Sequence, residues 1–168
     1  MAMYQQVLTQ LDASESELLD VVNDVVGEIF STMVGMEISA CETLSAAGSG
    51  FNNCVTAVIC LSGSYLGAVS IHAQPVVAME IASHMLEMEI ASVDSDVTDA
   101  FGEIANMIAG SFKHVIMKGG HEVRLTPPKV VAKNELFRPP DSAPDILAAM
   151  FETGKGHFLV CVNLEVWD

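Results

Sequence analysis

The chain has 168 residues, 51% of them hydrophobic, with a mean hydropathy of +0.41 and a formal net charge of −15. That length suffices for one domain with a real core and not for two ordinary ones, and the composition excludes a disordered chain. All seven Lys and Arg follow residue 112, whereas 15 of the 22 acidic residues precede it, so the clustered cations that nucleic acid requires are missing. The acidic first part suits a partner that presents Lys or Arg, or serves solubility alone.

In chain order, the first signal is a helix over residues 15–36. Asp12 or Ser14 can cap it, each followed three residues later by Glu15 or Glu17 as in a capping box. Strands are predicted at 37–44, 53–61 and 65–73. Residues 43–79 carry no Asp, Glu, Lys or Arg, which raises the question of a membrane span. Ser62-Gly63-Ser64 interrupts that run, and Val55, Thr56, Val58, Ile59, Val69 and Ile71 crowd its flanks, so two buried strands joined by a tight turn are expected instead. Flanking cations and a basic, apolar leader are both missing, and a cytoplasmic chain without a membrane span is expected.

A helix over 75–89 follows, with Pro75 at its first position. Asp94 or Ser95 caps the next helix, which the Gly119-Gly120 pair ends near Lys118. A strand at 122–125 precedes a Pro-rich loop over 126–143, and a hairpin of 145–153 and 157–166 turns around Gly154-Lys155-Gly156. The expected fold is α+β: a single domain with one mainly antiparallel sheet of about six strands and helices packed on it.

The chain also resembles itself. Asp24-Val-Val-Gly-Glu-Ile-Phe-Ser-Thr-Met-Val-Gly35 aligns with Asp99-Ala-Phe-Gly-Glu-Ile-Ala-Asn-Met-Ile-Ala-Gly110. Two pseudo-symmetric helix–strand–strand–strand halves, about 15–90 and 94–168, are the natural reading. In the second copy Val97, Phe101, Ile104, Ile108 and Val115 form one apolar stripe at about 100° per residue. Asp99, Glu103, Asn106, Gly110 and Lys113 line the opposite, watered stripe. Glu103 and Asn106 are three residues apart, so a carboxylate and an amide are neighbours on that ridge. Taken alone the pair reads first as a solvated helix face, with Asp99 and Lys113 making weak surface pairs. Gly102 and Gly110 each cost about 1 kcal/mol against Ala inside a helix. Close approach of a partner, or of a neighbouring element, would offset that.

Asp99-x-x-x-Glu103-x-x-Asn106 resembles the D/S-x-x-x-E-x-x-N signature of the CheC/CheX/FliY phosphatase family, whose repeated helix–strand plan also covers nearly the whole chain. The resemblance implies a catalyst of response-regulator dephosphorylation in two-component signalling. Its substrate would be a phosphorylated CheY-like receiver domain that brings its own Mg²⁺, with no cofactor or metal on this chain. Asn106 would orient the attacking water and Glu103 would pair with the receiver's active-site lysine, with Asp99, Gly110 and Lys113 bordering the partner. The first copy keeps Glu28 but has Ser31 where the second has Asn106, so it reads as a degenerate site. A single working motif is similar to CheX-like members, and a homodimer follows from that likeness.

The same fold without hydrolysis would give an adaptor for a receiver or a flagellar switch component. A small-ligand sensor finds no Gly-rich phosphate loop or clustered charged pocket in support. Cys41, Cys54, Cys60 and Cys161 are unpaired by metal-site spacing and read as small buried thiols, and the scattered His residues form no ligand pattern. The ten methionines read as core filler, with a Met-rich docking surface second.

Overall fold

A computed structural model describes residues 3–42, 54–132 and 146–166. A short helix α1 (Met3–Leu11) opens the described chain, followed by α2 (Glu15–Ile29), which runs on into a π-helical turn (Phe30–Val34). The remaining elements are β1 (Ser39–Ala40), β2 (Val55–Gly63), β3 (Tyr65–Ala73), α3 (Pro75–Leu86), α4 (Ser95–Ile116), β4 (Val123–Leu125), β5 (Lys129–Ala132), β6 (Ile146–Glu152) and β7 (His157–Val166). The α+β class is the expected one. Seven strands replace the expected six, because β5 lies inside the stretch read as a loop.

Local chemistry sets the helix limits. Of the two candidate caps for α2, Ser14 takes the role: its hydroxyl accepts from Glu17 N at 3.2 Å, and its own N–H donates to the Glu17 carboxylate at 2.7 Å. These bonds from the Ser14 backbone and hydroxyl lower the Glu17 pKa. Asp94 Oδ1 accepts from the N–H groups of Asp96 and Val97 at 3.0 and 3.2 Å and so starts α4. At the other end of α2, Gly35 stops the chain in a left-handed conformation, φ 74°. The α3 helix stops at Leu86, three residues short of expectation, where Glu87 turns left-handed at φ 53°.

Every strand pairing is antiparallel, in the order β1-β6-β7-β3-β2-β4, with β5 also on β2. The strand that follows α2 joins the β6–β7 hairpin, and the two that follow α4 join the β2–β3 hairpin. Early and late segments are therefore interleaved in one sheet, with the β3–β7 ladder at its centre from Tyr65↔Val166 to Ala73↔Phe158. The expected strand over 37–44 is reduced to Ser39–Ala40, with Cys41 N–H donating to the Met150 carbonyl; its last two residues lie outside those described.

One sheet face carries the main core. Ile59, Tyr65, Ile71, Phe151, Phe158 and Val160 project from it to meet α2, α3 and α4, and Val7 and Leu8 of α1 join the same core. Alternation along the strands sends Thr56, Ser70, His72, Leu159 and Cys161 to the other face. There the buried His72 ring has Thr56 Oγ1 2.9 Å from Nδ1 and Ser70 Oγ 2.8 Å from Nε2. Burial lowers its pKa to about 4, so the ring is neutral, with one nitrogen donating and the other accepting.

The expectation of four buried thiols needs correction. Cys54 and Cys161 are buried thiols, pushed up by burial to about 11 and about 12, but Cys41 is only half-buried and Cys60 is exposed. Cys60 sits on the outward face of β2, where period-2 alternation turns it away from the core. Of the methionines, Met36 and Met150 are buried and Met79, Met85 and Met107 pack against the core as expected, whereas Met33, Met88 and Met117 are exposed. Among the described residues no helix is long and apolar enough to cross a membrane, and no three His, Cys, Asp or Glu cluster to hold a metal ion.

Candidate functional site

The site is built on α4, the longest helix, at 22 residues. Val97, Phe101, Ile104 and Ile108 of its predicted stripe are buried. Val115 is only half-buried, because Phe112 and Ile116 take the inward positions in the last turn. Such a broad buried face fixes the helix against the sheet and leaves little freedom for the ridge on its back.

On that ridge Asp99, Glu103 and Asn106 are exposed, and Gly110 and Lys113 are partly exposed. Neither Glu103 nor Asn106 takes a side-chain partner among the described residues. At helical spacing their Cβ atoms stand roughly 5–6 Å apart. Carboxylate and amide therefore face outward together with their hydrogen-bonding capacity unused. The remaining ridge residues are more distant: Asp99 and Lys113 are about 21 Å apart along the axis at 1.5 Å per residue, so they stand at opposite ends of the ridge.

The two helix glycines have different explanations. A Cβ on Gly102 would lie 3.1 Å from Val130 Cγ2 and 3.4 Å from Pro128 Cγ, so β5 and the residue before its first strand position pass tightly beneath α4 there. That glycine serves internal packing. A Cβ on Gly110 would meet nothing within 4 Å. Its helix cost therefore has no packing offset among the described residues. We expect Gly110→Ala to raise stability by about 1 kcal/mol, seen as an upward Tm shift of about 2–4 °C in thermal unfolding.

The first copy of the motif is arranged differently. Glu28 is exposed like Glu103, but Ser31 falls inside the π-helical turn, and its hydroxyl donates back to the Glu28 carbonyl at 3.1 Å. Thr32 Oγ1 donates to the same carbonyl at 2.7 Å. A hydroxyl held against its own helix cannot reach outward as a carboxamide does.

The turn also displaces Met33, whose counterpart in the repeat is Ile108. Ile108 is 2% exposed and Met33 is 58% exposed. A groove of about 430 Å³ results between the end of α2 and α4, lined by Glu28, Ile29, Met33, Met107, Gly110 and Ser111 among others. The structure thus brings Gly110 and Glu28 to one recess, a neighbourhood that the sequence did not reveal.

A family model described as "Chemotaxis phosphatase CheX" matches residues 55–151. The chain belongs to the CheX family. The matched span includes all of α4, with Glu103 and Asn106, and leaves α2 outside. Solved CheX structures are similar in fold. Chemotaxis protein CheX from Vibrio vulnificus has a TM-score of 0.73 at 22% identity over 90% of this chain and 99% of that one. The CheX of a CheX-CheY-BeF3-Mg²⁺ complex from Borrelia burgdorferi reaches 0.68 at 20% identity, covering 87% and 96%. FliY from Thermotoga maritima reaches 0.62 at 16% identity, covering 88% and 86%. No curated protein matches the CheX-family chain in sequence.

Proposed function

We propose that this chain accelerates hydrolysis of the phosphoaspartate of a CheY-like receiver domain, with Asn106 as the residue that holds the attacking water. The observation that carries this reading is the unpartnered pair of exposed side chains, Glu103 and Asn106, on a helix whose other face is locked in the core. Membership of the CheX family and the fold shared with a CheX in complex with CheY support it.

Phosphoryl transfer needs positioning and charge neutralisation more than covalent help from the protein. The Asn106 carboxamide can accept one hydrogen bond from water and donate another, fixing the water oxygen in line with phosphorus. It does so without adding charge beside the phosphoryl oxygens, as a carboxylate would. The new O–P bond forms on the water side while the acyl phosphate O–P bond breaks, giving inorganic phosphate and a free aspartate carboxylate. Glu103 pairs with the receiver's lysine and holds the two proteins in register. Asp99, Gly110 and Lys113 border the docked partner, and the Mg²⁺ belongs to the receiver.

The test mixes the chain with CheY-type receivers phosphorylated by acetyl phosphate in Mg²⁺ and follows phosphate release. Faster dephosphorylation is expected, and Glu103→Ala should raise the receiver concentration needed for half-maximal rate by about tenfold, the loss of one charge-assisted contact. Binding of a receiver with no change in its dephosphorylation rate would instead make the chain an adaptor.

A further inference from the structure

From the groove between α2 and α4 we infer a second docking point on the receiver, distinct from the Glu103–Asn106 ridge. It takes an apolar receiver side chain that lies beside a Lys or Arg. This inference rests on the phosphatase reading and adds to it what selects the partner.

Three observations meet in the groove. The π-helical turn, closed by Gly35 N–H donating to the Phe30 carbonyl at 2.8 Å, rotates Met33 out of the core position that its repeat counterpart Ile108 occupies. Turns of this type recur at functional sites, where they re-aim side chains. Met33 is the most exposed large hydrophobic residue of the described chain, at 58%. Its flexible thioether can mould itself around a partner's side chain.

Across the groove, Gly110 leaves room where any other residue would place a Cβ, and nothing among the described residues fills that room. Met107, on the same wall, directly follows Asn106, so a side chain seated here belongs to the same docked partner. Charge selects what accompanies it. Glu28 lies on the groove's rim, exposed, and Asp24 and Asp20 continue its acidic row one and two turns back along α2. α2 itself carries no Lys or Arg. The basic residues of the opposite wall are His114, which lines the groove, and Lys113 one turn beyond Gly110, so the three carboxylates outnumber them. A cation beside the apolar anchor completes the match, and Glu28 of the degenerate copy gains a role in recognition without chemistry.

Wild type, Met33→Glu, Met33→Leu and Glu28→Gln are compared on acetyl-phosphate-charged CheY-type receivers, with KM and kcat read separately. Met33→Glu should raise KM by about tenfold or more with kcat changed less than about twofold, and Met33→Leu should restore KM to within about threefold of wild type. Glu28→Gln should raise KM by about threefold and flatten its dependence on salt. An unchanged KM for Met33→Glu overturns the groove while leaving the phosphatase reading intact. A wild-type chain inert toward the receivers removes that reading, and the groove proposal with it. Sedimentation in which Met33→Glu alone dissociates an oligomer would assign the groove to a second copy of this chain and overturn the proposal.

Discussion

Replacing Asn106 with Ala is expected to lower receiver dephosphorylation by about 10²- to 10³-fold, the range seen when one positioned hydrogen-bonding group is lost from a reaction centre. Stability should move by less than about 0.5 kcal/mol, because the side chain is exposed and unpartnered and Ala is the better helix former. That separation makes the variant informative: thermal unfolding reports the scaffold and phosphate release reports the amide. Asn106→Asp should be similarly inactive, since its added charge sits where phosphoryl oxygens approach. Ser31→Ala should leave the rate within about twofold, because the hydroxyl it removes is already turned back onto the Glu28 carbonyl. Full activity in Asn106→Ala would end the proposed mechanism. An equal loss in Ser31→Ala would transfer chemistry to α2.

Periodicity made the ridge legible before any coordinates. The 3.6-residue repeat of α4 puts Glu103 and Asn106 opposite Phe101, Ile104 and Ile108, and the cap at Asp94 and the final strand at 157–166 are where local signals placed them. What sequence could not express is which elements meet. Pro127-Pro128 reads as loop chemistry, yet the four residues after it pair with β2 from Val58↔Lys129 to Val55↔Ala132, and a proline at the start of a peripheral strand removes no ladder bond. The same pairing separates Gly102, which β5 crowds, from Gly110, which nothing crowds, although both look alike in a helical string. α1 is harder to read because Met3–Leu11 is only 9 residues long and has no Ser, Thr, Asp or Asn before it to mark a cap. The π-helical turn was equally hidden, since Phe-Ser-Thr-Met-Val continues an α-helical pattern as well as it breaks one. Without that turn Met33 reads as core, and the groove does not exist.

The largest stability effect is expected from Phe158→Ala: a loss of about 3–5 kcal/mol, measured by denaturant unfolding. Phe158 is 0% exposed and stacks on Phe30 at 4.8 Å and on Phe151 at 5.1 Å, with ring planes within 14° and 18°. Removing the ring forfeits its transfer from water, opens a cavity, and ends two stacking contacts of about 0.5–1.5 kcal/mol each. Against a total stability of roughly 5–15 kcal/mol, the variant keeps a folded population but a reduced one. At about 2–4 °C per kcal/mol for a chain of this size, Tm should fall by roughly 6–20 °C. Phe158→Leu, which refills most of the cavity, should lose less than half as much. The position also reaches the candidate site, since Phe30 opens the π-helical turn and its carbonyl accepts the N–H groups of Gly35 and Met36. A cavity under Phe30 therefore loosens the turn that presents Met33, while α4 keeps its own buried face against the sheet. Under folded conditions Phe158→Ala should accordingly raise KM more than it lowers kcat. A variant whose Tm stays within about 2 °C of wild type would mean that the three rings do not form the core of the sheet's helix-covered face.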